Sequence, residues 1–339
     1  MKAIVQIGIG EPDDILSLQE IPSPVPADDG VVIDVSLASV HHGDLFFIRS
    51  VRTLPEGTKH IGSGIEAVGR IRSIGRGVPE TRGLRVGGRA AVSLVSGAWA
   101  EQVAVPAVHA FPVPDDIPDT TAAQLFISAL TARMVVRAIQ RSVPDNALRG
   151  GAVLLTGAST AVARIIAHFM LQEDLTIIGL TRSEAAAART TRLVPGVPFV
   201  ATQSEGWQDS LHQFFLGRPL RAVADCISGT LLHELIPLLS DDAAIIIYGG
   251  LDPNPVGLTG LDITARQFVL RGVSVGRWFT ETNPELQQQD VAASIALARA
   301  HPELFPVADT YDLKNWREAI GAVERPGREG FILLTPHSS

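Results

Sequence analysis

The chain has 339 residues, 46% hydrophobic and 19% charged, with a net charge of −8, the composition of a soluble globular protein with room for two cored domains. No basic run stands out, which argues against a nucleic-acid partner, and no apolar run approaches the roughly 18 residues needed to cross a bilayer. The single cysteine, Cys226, excludes an internal disulfide and a cysteine-built metal site. The N-terminal stretch MKAIVQIGIGEPDD lacks the apolar region and cleavage site of a signal peptide, so cytoplasmic residence is expected.

The first 120 or so residues read as β-rich: VVIDVSLASV, AVGRIRSIG and RAAVSLV lie between Gly, Pro and Asp turns. Prolines at 106, 112, 114 and 118 read as an extended connector. From Thr121 the apolar period becomes helical, in TTAAQLFISALTARMVVRAI. From Gly151 strands and helices alternate. VLLTG, LTIIGLT, FVAT, AVADCIS and AAIIIYGG are strand candidates, and EAAAARTTRL, WQDSLHQFFL and TLLHELIPLL are the intervening helices. This alternation predicts a doubly wound parallel sheet covered on both faces. The tail holds a helix around DVAASIALARA, another at NWREAIGAVE, and a terminal strand, FILLT.

Between the strand at Val153 and the following helix lies TGASTAVAR, beginning at Thr156. A dinucleotide's pyrophosphate needs backbone N–H groups at a helix N-terminus and small residues that let the backbone approach. Gly157, Ala158, Ser159, Thr160, Ala161 and Ala163 supply a small-residue turn in which the hydroxyls of Ser159 and Thr160 can replace missing donors. An ordinary strand-to-helix turn explains this stretch equally well. The next strand is more discriminating. It ends at Thr181 and Arg182 with no carboxyl group at its tip, where an NAD-specific fold would place an acid for the ribose hydroxyl. A guanidinium suits the 2′-phosphate of NADPH instead.

Several segments in order then resemble the medium-chain dehydrogenase/reductase superfamily over nearly the whole chain. They are MKAIV, ASVHHGDLFFIR, GSGIEAVGRIRSIGRGV, GGRAAV, GAWAEQVAVPA, the LTA at Leu130–Ala132, DCISG and YGGL. Within it, the turn TGASTAVAR and the segment LRGVSVGRWF are similar to the mitochondrial-type enoyl-thioester reductases, beside the zinc-independent quinone oxidoreductases. The resemblance implies an α/β fold with two parts. One is a GroES-like β-rich catalytic domain over 1–122, the other a Rossmann NADPH-binding domain over 123–272. The segment 273–339 is expected to complete the Rossmann sheet edge and return to the catalytic domain. It further implies NADPH and a small-molecule substrate in a cleft, and a homodimer formed by strands near AAIIIYGGL and LRGVSVGRWF. Cofactor contacts carried over by position are Thr131, Gly157, Ser159, Thr160, Ala161, Val162, Thr181, Arg182, Tyr248, Gly249, Leu251, Ser274 and Val275.

Departures from the family shape the chemistry. A catalytic zinc needs three protein ligands, but the family's ligand positions hold His41, Ile65 and no cysteine. His41 and His42 are adjacent on what reads as extended chain and so face opposite sides; no metal is expected. The tyrosine of the enoyl reductases is replaced by Arg52, and the chain's tyrosines are Tyr248 and Tyr311, in other segments. A guanidinium cannot give up its proton near neutral pH but can stabilise an oxyanion or bind an anionic group. His41, at the family's substrate-proximal asparagine, becomes the candidate proton donor, with His42 second. Asp44 and Glu66 are expected to fix local backbone, Cys226 to be a core thiol, and Phe331 to replace a family lysine. The expected activity is NADPH-dependent, zinc-independent reduction of an activated C=C bond or a quinone. The alternatives are an NADPH-binding protein that has lost reductase activity and a biosynthetic enzyme using the cleft for another reaction.

Overall fold

The structure is a computed structural model that describes residues 1–57, 60–215 and 217–336. The chain divides into two compact units, one of Met1–Ile127 with Glu285–Ser339 and one of Ser128–Pro284.

The first unit is built on a seven-stranded sheet. Its long central strand, Gly30–Val40, pairs antiparallel with Glu66–Ile74 on one side and with Phe331–Thr335 on the other. Val31, Ile33, Val35 and Ala38 of the central strand are buried. A register irregularity between Val35 and Leu37 shifts the alternation, which re-aims the last residues before His41. The strands Arg89–Ser93 and Ala110–Pro112 extend the sheet, Val307–Asp312 forms its other edge, and Gln102–Pro106 pairs with the first half of the central strand. A smaller sheet joins Leu16–Glu20, Lys2–Gln6 and Ile61–Gly62. Trp99 is fully buried and its Nε1–H donates to the Ser39 carbonyl at 2.9 Å. Gly64 makes this possible: at φ +92° its missing Cβ would lie 2.3 Å from the Trp99 ring.

Two sequence expectations are corrected here. The chain is not extended through His42, because a helix runs from His42 to Ser50. Asp44 starts it: its Oδ2 accepts the His41 N–H at 2.6 Å, and its own N–H donates to the His41 carbonyl at 3.1 Å, a local capping arrangement. The proline-marked connector also contains the short strand Ala110–Pro112, whose pairing to Arg89–Ser93 is a long-range contact that composition does not announce.

The second unit is a six-stranded, all-parallel sheet. In spatial order its strands are Phe199–Ala201, Ile177–Thr181, Ala152–Leu155, Leu220–Asp225, Leu239–Ile247 and Val269–Gly272. In chain order this is 3-2-1-4-5-6, the doubly wound arrangement whose ligand crevice lies outside the carboxyl ends of strands 1 and 4. The central strands are continuous apolar runs because both faces are covered; Ala152–Leu155 is wholly buried. The helices Ala161–Gln172, Glu184–Leu193, Trp207–Phe215 and Gly229–Leu235 follow the first four strands in turn. Side-chain caps start two of them: Thr160 accepts from the Ala163 N–H and Ser183 from the Ala186 N–H. Both strands of the tail, Val307–Asp312 and Phe331–Thr335, join the sheet of the first unit.

Candidate functional site

In the first unit, His41 ends the central strand and caps the helix His42–Ser50, with 9% of its surface exposed. Its Nε2 lies 2.8 Å from Oε2 of Glu66 and 2.8 Å from Oγ of Ser39. Glu66 is fully buried at the start of the neighbouring strand. Its second oxygen, Oε1, accepts the N–H groups of Phe126 and Ile127, both at 2.9 Å. These are first-turn donors of the helix Leu125–Ser142, which have no partner inside their own helix. One carboxyl group thus holds an imidazole and a helix N-terminus together. The Phe331 ring stands edge-on to His41, with centroids 5.0 Å apart.

Burial works against the charged form of His41, but the hydrogen bond and charge of Glu66, with Asp44, outweigh it and raise the imidazole above its ordinary value. For Asp44, burial dominates and pushes the carboxyl up to about 7, although the His41 charge and backbone N–H oppose the shift. Both raised values act in one direction. The folded form is favoured by protonation, so this stability is present at low pH and is lost as pH rises through the folded values. Denaturant unfolding at about pH 5 and about pH 8 should therefore show a fall in stability that Asp44→Asn reduces. The amide keeps an oxygen for the His41 N–H and carries no charge to desolvate. A fall of the same size in Asp44→Asn would contradict the assignment.

His42 is exposed, and its imidazole is lowered, first by burial of part of its surroundings and then by the charge of Arg328. Arg52 lies exposed beyond the helix, and His60 is half-buried in the following loop.

In the second unit the turn after strand Ala152–Leu155 gathers Gly157, Ser159, Thr160, Ala161 and Val162, all half-buried. Gly157 sits at φ +53°, and a Cβ there would come within 2.6 Å of the Cys226 sulfur. The backbone is therefore packed closely on Cys226 and Ile227. Thr156 Oγ1 donates to Asp225 at 2.6 Å and accepts the Cys226 N–H at 3.0 Å, tying the end of strand 1 to the end of strand 4. Asp225 also accepts the N–H groups of Ile227, at 3.3 Å, and Ser228, at 2.8 Å. Burial raises its carboxyl despite these bonds. Ser228 is held at φ +70°, ψ −156°, a region nearly reserved for glycine. Burial pushes the Cys226 thiol up to about 12 and the Tyr248 phenol well above its ordinary range, so neither is an acid or nucleophile near neutral pH.

The remaining cofactor candidates fall at three places. Tyr248, Gly249 and Leu251 follow the fifth strand; the N–H of Tyr248 donates to the Asp225 carbonyl and that of Leu251 to the Cys226 carbonyl. Thr181 is buried with its hydroxyl bonded to the Ser183 carbonyl at 3.2 Å, while Arg182 is exposed at the strand tip. Ser274 and Val275 follow the edge strand Val269–Gly272. Thr131 and Ser128 are buried on the helix Leu125–Ser142. Sequence reasoning missed Thr156 and Asp225. Their signal was an acid closing the apolar run AVAD and a hydroxyl closing VLL, each too common to single out. Among the described residues no group of three or more His, Cys, Asp or Glu is placed to hold a metal ion.

No family model matches the chain. It is similar to the bovine (Bos taurus) mitochondrial enoyl-[acyl-carrier-protein] reductase, 21% identical over 339 residues covering 99% of this chain and 88% of that protein. It is also similar to the acryloyl-coenzyme A reductase of Sulfurisphaera tokodaii, 22% identical over 364 residues, 99% of this chain and 100% of the other. Among solved structures, the Escherichia coli quinone oxidoreductase complexed with NADPH shares the fold at a TM-score of 0.84 and 18% identity, covering 99% of this chain and 100% of that one. A mycobacterial protein complexed with NADPH matches at a TM-score of 0.86 and 20% identity, over 99% and 100% of the two chains. These solved structures share the fold of this chain over nearly its whole length, a β-rich unit and a doubly wound unit.

Proposed function

We propose that this protein is an NADPH-dependent, zinc-independent oxidoreductase that reduces an activated C=C bond, of an enoyl thioester or enone, or a quinone, by hydride transfer. The turn Thr156–Val162 carries the reading. It opens a helix at the carboxyl ends of strands 1 and 4 of a 3-2-1-4-5-6 sheet, where backbone N–H groups and the helix dipole favour a pyrophosphate. The residues fit the cofactor: Gly157 lets the turn pack down on Cys226 and Ile227, where a Cβ would clash, and Ser159 and Thr160 add hydroxyls. When bound, the nicotinamide supplies the hydride.

The chain's own part is to bind, orient and protonate. In this reading His41 gives a proton to the reduced substrate. Its Nε2 is committed to Glu66, so the proton leaves from Nδ1, and Glu66 holds the ring and favours its charged form. His42 is a second donor, and Arg52 can stabilise an oxyanion or meet an anionic group. The absence from the described residues of any helix long and apolar enough to span a membrane supports a cytoplasmic enzyme. Calorimetric titration with NADPH and NADH, followed by NADPH consumption over a panel of quinones, enones and enoyl thioesters, tests the whole reading. Failure to bind NADPH would end it.

Arg182 is the specificity residue in this account. It is exposed at the second strand's tip, and a charge-assisted phosphate contact is worth about 1.5–3 kcal/mol. Arg182→Ala should weaken NADPH by roughly tenfold or more and leave NADH nearly unchanged. Equal affinity of the unaltered protein for both cofactors would refute it.

The assembly proposed is a homodimer. Of the two strands expected to meet a partner, Leu239–Ile247 is interior, paired on both sides. That half of the expectation is corrected: only Val269–Gly272 is an edge, with Leu270 50% exposed. Two-fold pairing there would satisfy an open strand on both chains. Light scattering should give a dimer; a mass near 36 kDa at micromolar concentration would exclude it.

A further inference from the structure

Arg328 lies in the turn RPGREG between the helix Trp316–Glu324 and the strand Phe331–Thr335. Glycines fix this turn: Gly327 is at φ +81° and Gly330 at φ +122°, where a Cβ would sit 2.5 Å from the Pro306 carbonyl oxygen. The guanidinium is half-buried. One of its terminal nitrogens donates to the Gly330 carbonyl, and its Nε is buried without a hydrogen-bond partner. Burial alone pulls the guanidinium down, with no offset from a carboxyl group among the described residues. Its charge acts to lower both His41 and His42. Of the carboxyl groups of this region, Glu66 holds His41, Asp44 takes the His41 N–H with Oδ2 while its Oδ1 is buried without a hydrogen-bond partner, and Glu324 takes Arg49 at 2.8 Å.

A guanidinium stays protonated in any folded environment. Half-burying one without a counter-charge is costly unless something else completes it. Three residues beyond, Phe331 packs on His41, so the charge borders the same imidazoles already assigned to the substrate. We propose that Arg328 forms an anion-binding subsite beside His41 and His42, taking a carboxylate or phosphate carried by a ligand of this site. The inference rests on the reductase reading for the ligand's identity, and on the structure alone for its charge. It narrows the substrate to an activated alkene bearing an anionic group. Unlike Arg52, which the sequence singled out, Arg328 is partly desolvated, so its contact with an anion is less screened by water.

The test uses the whole protein, Arg328→Gln and Arg328→Lys, in two arms. In the first, without turnover, millimolar inorganic phosphate is added at constant ionic strength during thermal melting. It should raise the midpoint of the unaltered protein and of Arg328→Lys but not of Arg328→Gln. In the second, two enones are compared that differ only in a free carboxylate against its methyl ester. Arg328→Gln should lower the acid-to-ester ratio of kcat/KM about tenfold, through KM, with partial recovery in Arg328→Lys. If NADPH binding weakens tenfold instead, while NADH is unchanged, the anion is the cofactor's 2′-phosphate and the substrate subsite is overturned. His42 should titrate higher by NMR in Arg328→Gln, which also reports that the variant is folded. No change in phosphate protection or in the acid-to-ester ratio overturns the subsite. If the unaltered protein reduces neither enone, the reductase reading is what falters, and the phosphate arm still decides the subsite.

Discussion

Glu66→Ala is expected to cost about 3–5 kcal/mol of unfolding free energy, the range for breaking a buried charged pair by removing one partner. The carboxyl group is fully buried and serves three donors: the His41 ring and the N–H groups of Phe126 and Ile127. Alanine leaves the two helix N–H groups unpaired and the imidazole with Ser39 alone, in a site that water does not reach freely. Loss of a buried hydrogen bond leaves a group whose desolvation is uncompensated, and here the losses fall together. Glu66→Gln separates charge from structure. Its amide oxygen can still accept the helix N–H groups, while the negative charge that holds His41 up is gone. That variant should retain most of the stability and show a lower His41 value by NMR titration. If Glu66→Ala melts within a few tenths of a kcal/mol of the parent, the carboxyl group is not the joint described.

His41→Gln is expected to reduce turnover by about 100-fold or more, within the range for removing a general acid, with NADPH affinity near its original value. Glutamine is chosen because it can still hydrogen-bond near Glu66 and Ser39, the two groups 2.8 Å from Nε2. The larger loss should therefore be chemical and not a collapse of the pocket. The pH profile adds a second reading. With His41 raised, turnover of the parent should fall as pH rises through the folded value, because the charged imidazole is the acid; Glu66→Gln should move that limb to lower pH. Full turnover in His41→Gln would remove His41 as the donor and leave solvent water or His42 in its place. Arg52→Tyr is a complementary gain-of-function test, since it restores the family's phenol at the position the sequence singled out.

How much of this was legible beforehand varied with the range of the interaction involved. The parallel sheet was legible because each strand is a short apolar run followed by a periodic helix, a purely local pattern. The helix at His42 was not, because it starts from Asp44 bonding back to His41, and Asp is as common in turns as in caps. The interior position of Leu239–Ile247 was also hidden, since edge and interior strands of a parallel sheet differ in their neighbours more than in their own residues.

The sequence by itself determined the two-part architecture, the small-residue turn at Gly157, the cation at Arg182 and the absence of a thiolate set for zinc. Each is a matter of residue type at a local position. Only the tertiary structure decided that His41 is clasped by Glu66 and Ser39, that Thr156 and Asp225 lock the ends of strands 1 and 4, and that Arg328 buries its Nε without a hydrogen-bond partner. What a carboxyl group or a guanidinium does depends on what burial leaves beside it. Burial is a property of the packed chain, and no local pattern encodes it.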